Sequence, residues 1–356
     1  MSRTDDILDK TKRKEPGAKK WKVVAGIVLG LGIVMVTFLG ILWIVDVDGY
    51  LESKSIIKIY NAYEMKADDD SNFAYYLGDS TASYSIYPPL IREELNESGY
   101  SFSLFGVSVG NEAPLMRVLQ IQNIIDSTPS AVIYAISYRH VSDYENWVPE
   151  NLYLVHDSLN VRDDSLYLYT EDEINDINHV MNPYDKRIFI SSAFNEKYKL
   201  SSSSNNKGDT SWHDEDGIYY NLGDTRGSMQ HGLEEIIDAA KNPQNSFRPE
   251  VTNESTRNKA ALLYISQTLA ENNIPLIFIS TPINPIMADE ISSESRQNFH
   301  DFLNSTDAVW YDMEYAIPSE YFVDVYHLGE EGCLLFSPML ADIIVQEVEN
   351  NVIHYS

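Results

Sequence analysis

The chain has 356 residues and a formal net charge of −28 at pH 7. A protein this acidic repels nucleic acids and anionic lipid headgroups, so the composition argues against a nucleic-acid-binding function. Cys333 is the single cysteine, which excludes an intrachain disulfide and leaves stability to a hydrophobic core.

Residues 23–45 form a long apolar stretch without a formal charge. As a helix they would span about 34 Å, enough to cross a hydrocarbon core of about 30 Å. A cleaved signal peptide is the competing interpretation. Its apolar core normally has about 7–15 residues and is followed by a small-residue cleavage site. This stretch is longer and ends in Trp43-Ile44-Val45-Asp46, so we predict an uncleaved transmembrane helix at residues 23–45.

The charges on either side of this helix predict its orientation. Residues 1–22 carry eight basic and four acidic side chains, whereas Asp46, Asp48 and Glu52 follow the helix. The positive-inside rule places residues 1–22 in the cytoplasm and residues 46–356 outside it. Since the tail has a net charge of +4, the remaining residues carry −32. That excess of carboxylates fits either a general need for solubility or a halophilic source.

After this segment, short apolar runs alternate with helical patterns, which predicts an α/β domain with a mostly parallel sheet. The five predicted strands are Phe73–Leu77, Phe102–Val107, Ala131–Ile136, Leu276–Ser280 and Ala308–Tyr311. The predicted helices are Pro89–Glu97, Ala113–Ile125, Leu233–Ala240, Asn258–Asn272 and Glu330–Val348. The side chains of the last helix that we expect to pack on the sheet are Leu334, Leu335, Met339, Ile343 and Val345.

Residues 140–250 interrupt the alternation of strands and helices. They are rich in Asp and Tyr and contain the polar run Ser201–Asn206. A structureless loop of this length is improbable inside a compact domain. We therefore predict an insertion that forms a cap beside the active edge of the sheet, has a mobile tip near residues 201–216 and influences substrate choice.

Three side chains of the sequence predict a nucleophilic site. Ser80 follows the first predicted strand in Gly78-Asp79-Ser80, and Asp324 and His327 precede the last helix. Ligands of open α/β sheets bind beyond the carboxyl ends of the strands. A serine hydroxyl becomes a good nucleophile when a base takes its proton, and an acid can fix the tautomer of that base. We predict Ser80 as nucleophile, His327 as base and Asp324 as the orienting acid.

These motifs resemble those of the SGNH (GDSL-type) hydrolases. That family has Gly-Asp-Ser after strand one, a glycine after strand two, Gly-X-Asn after strand three and Asp-X-X-His near the end. The second block resembles Phe105–Asn111 and makes Gly110 the expected oxyanion-hole glycine, beside the N–H of Ser80. The similarity covers residues 70–140 and 255–345 and implies a flavodoxin-like, three-layer α/β fold with a parallel sheet.

The third block departs from the family pattern. Its asparagine would fall on Arg139, in Ser137-Tyr138-Arg139-His140. A guanidinium group donates hydrogen bonds with a full charge. Arg139 therefore either takes over the role of the asparagine in the oxyanion hole or makes a structural ion pair.

One N-terminal helix followed by an outward domain is similar to the membrane-anchored SGNH proteins of teichoic-acid D-alanylation and alginate acetylation. The resemblance implies a serine esterase or O-acyltransferase that acts on a surface polysaccharide or another ester, next to a polytopic membrane O-acyltransferase. The alternative is a catalytically inactive module that binds glycans or acts as a scaffold. We expect no cofactor and no catalytic metal, because the clusters around His140 and His213 lack a recognisable ligand spacing.

A second serine motif provides a rival nucleophile. Gly106-Val107-Ser108-Val109-Gly110 matches the Gly-X-Ser-X-Gly elbow of α/β-hydrolases. That interpretation needs several strands before Ser108 and separate loops for the acid and the histidine. Only one predicted strand lies between the apolar helix and residue 100, so we favour Ser80.

Overall fold

The computed structural model describes residues 16–45, 72–108, 112–142, 152, 159–181, 212–213, 219–220, 233–242 and 250–355. The chain divides into two compact units, of which one contains the N-terminal helix and the other contains the α/β part.

The N-terminal helix, α1, runs over Pro16–Val45. It begins before the predicted Val23 because proline is favoured in the first turn and lysine is a good helix former. Its segment Trp21–Phe38 has a mean hydropathy of 2.1 and is not buried. By length and composition this segment can cross a membrane, and a signal sequence would have the same properties.

The strands of the α/β unit are, in chain order, β1 (Asn72–Leu77), β2 (Phe102–Gly106), β3 (Ala131–Ile136), β4 (Trp212–His213), β5 (Tyr219–Tyr220), β6 (Leu276–Ser280) and β7 (Val309–Tyr311). Five of them form a parallel sheet in the order β2-β1-β3-β6-β7. β4 and β5 form a separate antiparallel pair. Counted along the chain, the strands of the large sheet have the flavodoxin-like order 2-1-3-4-5.

The described α-helices of this unit are α2 (Ser80–Ser83), α3 (Pro88–Glu97), α4 (Pro114–Val118), α5 (Ile121–Ser127), α6 (Tyr138–Val141), α7 (Glu171–Met181), α8 (Leu233–Lys241), α9 (Arg257–Glu271), α10 (Pro285–Ala288), α11 (Ser293–Asn304) and α12 (Glu330–Glu349). Short 3-10 helices cover Asp163–Leu168 and Ser319–Tyr321.

Helices cover both faces of the large sheet. On one face, α3 and α12 pack against each other, and Leu95 and Phe336 share a core with Tyr76 of β1. On the other face, the hydroxyl of Tyr75 donates to Ser127 Oγ of α5 at 2.9 Å. β1, β3 and β6 are buried along their whole length, as is typical of a parallel sheet between two helical layers. The predicted flavodoxin-like α/β fold with a parallel sheet is confirmed.

The helix predicted over Ala113–Ile125 is interrupted and forms α4 and α5. The carbonyl of Leu119 accepts a hydrogen bond from Asn160 N at 2.8 Å. The side chain of Gln120 accepts one from Arg117 Nη1 at 2.6 Å. The bond from Asn160 thus occupies the Leu119 carbonyl, and the side-chain bond links the two short helices at the break.

The packing face of α12 was predicted wrongly in part. Leu334, Leu335 and Met339 are 38%, 43% and 36% exposed, whereas Ile343 is buried as expected. The buried stripe instead recurs at helical spacing and includes small side chains: Cys333, Phe336, Ser337, Leu340, Ala341 and Ile344. Small residues let α12 approach α3 closely, where Tyr87 N donates to Ser337 Oγ at 2.7 Å.

Part of the predicted insertion packs against the helices of the domain. The hydroxyl of Tyr169 donates to the carbonyl of Leu115 at 2.6 Å, and Arg257 Nη2 donates to the carbonyl of Leu168 at 3.0 Å. Most of the predicted tip near residues 201–216 lies outside the described residues. The role of residues 140–250 as a cap therefore stays a prediction.

Candidate active site

Ser80 lies where β1 turns into the four-residue helix α2. Asp79 is fully buried and caps this helix, because its Oδ1 accepts from the N–H and the hydroxyl of Thr81 at 2.8 and 2.6 Å. Gly78 has a φ of +140°, and a Cβ there would lie 2.7 Å from Ala82 Cβ and 2.8 Å from the carbonyl of Ala135. Only glycine fits this turn, which leaves Ser80 at the carboxyl edge of the sheet.

Asp324 and His327 lie on a short loop within the segment that joins β7 to α12. An antiparallel bridge joins Phe322 to Leu328, and Val323 N donates to the carbonyl of His327 at 3.0 Å. Inside the loop, Asp324 Oδ1 accepts from the backbone N–H groups of Tyr326 and His327 at 2.8 and 2.7 Å. The loop therefore holds the carboxylate in one orientation.

The structure brings Ser80, His327 and Asp324 into contact. His327 Nε2 lies 3.0 Å from Ser80 Oγ, and His327 Nδ1 lies 2.7 Å from Asp324 Oδ2. An ionised carboxylate only accepts hydrogen bonds, so Nδ1 carries the proton of the neutral ring and Nε2 accepts from the serine hydroxyl.

The charge of Asp324 is stabilised by its neighbours. Burial raises the pKa of this carboxyl, but the hydrogen bond and charge of His327 and the backbone N–H groups of Tyr326 and His327 outweigh that effect. The net result is a pKa below the usual value, so Asp324 is ionised near neutral pH.

The ring of His327 contacts the rings of two tyrosines. Its centroid is 4.9 Å from that of Tyr84 and 5.2 Å from that of Tyr326. The side chains of His327 and Asp324 keep 17% and 16% of their surface exposed. The imidazole of His327 is thus restrained in orientation while it stays accessible from solvent.

Asn284 is a supporting residue that the sequence did not reveal. Its fully buried side chain caps α10, accepts from Ser319 Oγ at 3.0 Å and donates to the backbone carbonyl of Asp324. Asn before Pro after a strand does indicate a helix N-cap. Its contact with Asp324, across forty positions, has no local sequence signal.

The remaining residues that the sequence analysis considered for the site are Arg139, Gly110 and Ser108. Arg139 lies in the first turn of α6, directly after β3, and is 5% exposed. Because β3 pairs with β1, this turn lies at the same sheet edge as Ser80. Gly110 lies outside the described residues. Ser108 directly follows β2. In the described part of the α/β unit, one other strand, β1, comes before β2.

A buried ion pair flanks residues 109–111. Arg117 Nε and Nη2 both donate to the carboxylate of Glu112, which also accepts from the hydroxyl of Tyr134 at 3.0 Å. Arg117 Nη2 also donates to the carbonyl of Val107 at 2.8 Å. One guanidinium group thereby binds Val107 on one side of this segment and Glu112 on the other.

One group of side chains in the described residues has a geometry that could hold a metal ion. Ligand atoms of His300, Asp312 and Glu314 lie within 4.8 Å of one another. However, Glu314 already pairs with Arg296 at 2.8 Å and accepts from the Tyr138 hydroxyl at 3.0 Å. A resident guanidinium therefore supplies the positive charge at this carboxylate.

A protein-family model matches residues 233–349, which is less than half of the chain. No curated protein matches the sequence. Similar solved structures include a candidate acylhydrolase from Bacteroides fragilis, with 8% identity and a TM-score of 0.35 over 81% of this chain and 94% of that one. An acetyl xylan esterase from the rumen bacterium Butyrivibrio proteoclasticus has 11% identity and a TM-score of 0.31 over 78% of this chain and 65% of that one.

A third structure, an esterase mutant, has 14% identity and a TM-score of 0.19 over 42% of this chain and 89% of that one. All three scores lie below 0.5, so we assign the fold from the strand order and its helical layers rather than from these likenesses.

Proposed function

We propose that the α/β unit is an SGNH-type serine ester hydrolase or O-acyltransferase. The observation that carries this proposal is the continuous hydrogen-bonded relay from Ser80 Oγ through His327 to Asp324, with distances of 3.0 and 2.7 Å. A nucleophile within reach of a base, and a base oriented by an acid, are the parts that acyl transfer requires.

The reaction follows from these contacts. Ser80 Oγ attacks the ester carbonyl while His327 Nε2 takes its proton, and Asp324 stabilises the resulting imidazolium. Collapse of the tetrahedral intermediate expels the alcohol, which receives the proton from His327, and leaves an acyl group on Ser80. A water molecule or an acceptor hydroxyl then gives its proton to His327 and attacks the acyl group. Collapse of this second tetrahedral intermediate breaks the bond to Ser80 Oγ, which takes the proton back from His327, and releases the acid or the new ester.

The negative oxygen of the intermediate needs hydrogen-bond donors that are already oriented. We assign this role to the backbone N–H groups of Ser80 and Gly110 and to the guanidinium of Arg139. A guanidinium in place of the family's asparagine adds a full positive charge to the oxyanion hole. The position of Arg139 at the sheet edge shared by β1 and β3 supports its assignment.

For the substrate we propose an acyl ester on a surface glycan, with a polytopic membrane O-acyltransferase as partner. The apolar segment Trp21–Phe38 and the basic residues before it support an anchor whose N-terminus is cytoplasmic. An impermeant maleimide tests this topology in intact cells. We expect it to label a Ser356→Cys protein and not a Ser2→Cys protein, and the reverse pattern contradicts the topology. The wild type, whose Cys333 is buried, serves as control.

A fluorophosphonate probe tests the nucleophile. We expect one adduct, mapped to Ser80 by mass spectrometry, that is absent from Ser80→Ala and retained in the matched variant Ser108→Ala. Hydrolysis of an aryl acetate should follow the same pattern. An adduct at Ser108, or no adduct on the folded protein, would contradict the proposal.

A non-catalytic glycan-binding or scaffolding module is the second candidate. The observation that favours it is Arg139 at the position of the family's oxyanion asparagine. Carbohydrate binding that is unchanged in Ser80→Ala, together with no turnover of any ester, would select this function instead.

A further inference from the structure

Two buried polar atoms face each other next to the proposed nucleophile. Asp79 Oδ2 and His140 Nε2 are 3.7 Å apart, and their side chains are each 1% exposed. Within the described part of the chain, neither atom has a hydrogen-bond partner. Leaving both a donor and an acceptor unsatisfied in a protein interior is costly, so such a pair calls for an explanation.

The rest of each side chain is already used. Asp79 needs only Oδ1 to cap α2 through Thr81. His140 needs only Nδ1, which accepts the backbone N–H of Ser137 at 3.0 Å. Because Nδ1 is an acceptor, the proton of the neutral ring is on Nε2, the nitrogen that faces Asp79 Oδ2.

The surroundings of His140 favour the neutral ring. Burial lowers the pKa of His140, the charge of Asp79 raises it, and the charges of Arg139 and Arg117 lower it, with a net decrease. A contact with the backbone of Glu112 also raises the pKa of His140, but the net change remains a decrease. The ring of Tyr134 packs edge-on against the imidazole at 5.8 Å.

The pair spans the two turns that the proposed mechanism needs. Asp79 directly precedes Ser80 at the end of β1, and His140 directly follows Arg139 at the end of β3. These neighbouring strands are the point where the strand order of a flavodoxin-like sheet reverses. Fixing one turn against the other therefore fixes the nucleophile against the proposed oxyanion donor.

We propose that His140 is a positioning residue that donates Nε2–H to Asp79 Oδ2 and holds the turn of Ser80 in register with the turn of Arg139. The role rests on the proposed function. A separation of 3.7 Å is beyond a hydrogen bond. Contacts of this kind are often long without substrate and shorten when it is bound.

Two variants separate this role from simple helix capping. In His140→Asn, the amide oxygen replaces Nδ1 as acceptor for Ser137, but nothing reaches Asp79. In His140→Gln, the amide nitrogen replaces Nε2 opposite Asp79, but the bond from Ser137 is lost. We expect His140→Asn to lower kcat about 10- to 100-fold with KM changed less than about twofold, and His140→Gln to keep most of kcat.

The opposite order of kcat values, or two variants with wild-type kcat, would overturn the proposal. Thermal unfolding of both variants must accompany the assay, since a purely capping role would make His140→Asn harmless and His140→Gln damaging. The rate of fluorophosphonate labelling at Ser80 should follow kcat in each variant.

A readout that does not need turnover keeps this inference distinct from the proposed function. In ¹⁵N NMR of histidine-labelled protein at pH 7, we expect His140 to be the Nε2–H tautomer and its Nε2 signal to shift in Asp79→Asn but not in Asp324→Asn. An Nδ1–H tautomer, an imidazolium, or no shift in Asp79→Asn would overturn the pairing. A wild-type protein that shows neither turnover nor labelling would overturn the proposed function and the positioning role. The NMR measurement would still test whether His140 donates to Asp79.

Discussion

Asn284 and Asp324 are joined by a side-chain hydrogen bond across forty positions, from Asn284 Nδ2 to the backbone carbonyl of Asp324 at 3.3 Å. The backbone adds a second contact, in which Asn284 N donates to the carbonyl of Val325 at 3.2 Å. The loop that carries His327 is therefore supported from the end of β6. The position of the proposed base thus depends on Asn284, which takes no part in the proposed reaction.

We expect Asn284→Ala to reduce kcat more than a loss of a buried asparagine elsewhere in the domain does. Losing a buried amide costs about 1–3 kcal/mol of unfolding free energy and releases the loop, so we expect kcat to fall about tenfold or more with little change in KM. Asn298→Ala is the matched control, because this buried asparagine also donates to a backbone carbonyl, that of Val251 at 2.8 Å. Equal kcat in the two variants would contradict the supporting role.

Asp324→Asn should disable the base without removing the loop contacts. The amide oxygen can still accept from the N–H groups of Tyr326 and His327, but its nitrogen would donate to His327 Nδ1 and force the proton onto Nε2. We expect kcat to fall about 10³- to 10⁴-fold in an ester assay. The exposed Asp126→Asn serves as control. A loss of less than about tenfold would show that Asp324 does not orient the base.

Gly78→Ala should destabilise the domain through both conformation and contact. An L-residue at positive φ costs about 1–2 kcal/mol, and the clash with Ala82 and the carbonyl of Ala135 adds about 1–3 kcal/mol. Gly99 isolates the first cost, because its φ is +89° but a Cβ there meets nothing within 4 Å. The free energy of unfolding measured in urea should therefore be clearly lower for Gly78→Ala than for Gly99→Ala. Equal free energies in the two variants would contradict the clash.

The buried His140 predicts a loss of stability in mild acid. Its pKa in the folded state lies below the ordinary 6.5, chiefly because of burial. Below pH 6.5 the unfolded chain binds a proton that the folded protein does not, so folding stability falls as the pH falls in that range. In His140→Gln we expect the slope of unfolding free energy between pH 7 and pH 5 to be smaller by up to about 1.4 kcal/mol per pH unit. Identical slopes in the two proteins would contradict this prediction.

The central strands β1, β3 and β6 were predictable because each is a short apolar run that is buried on both faces. Ala131–Ile136 and Leu276–Ser280 were predicted with the bounds that the structure has. The order of these strands is a long-range property that only the resemblance to a family implied, and their register was not predicted. The pairing of Ser80 with His327 was likewise predicted from motif order rather than from any local pattern.

The errors have two physical causes. On α12, large apolar residues were taken as the packing face, but close packing against α3 favours the stripe with Cys333, Ser337 and Ala341. Asn284 was not predicted, and His140 was considered only as a metal ligand, because their partners are distant in the sequence and a lone polar residue has no periodicity to mark it. Such supporting residues become visible only once the strands have their order.

Contacts between the beginning and the end of the α/β unit have a consequence for biosynthesis. Tyr87 and Ser337 are bonded across 250 positions, and Ser80 and His327 across 247. Contacts this distant form late and slow the folding of a domain. A growing polypeptide therefore carries Ser80 without its proposed base until His327 has been synthesised. We therefore expect the proposed nucleophile to stay inert until α12 has left the ribosome and docked.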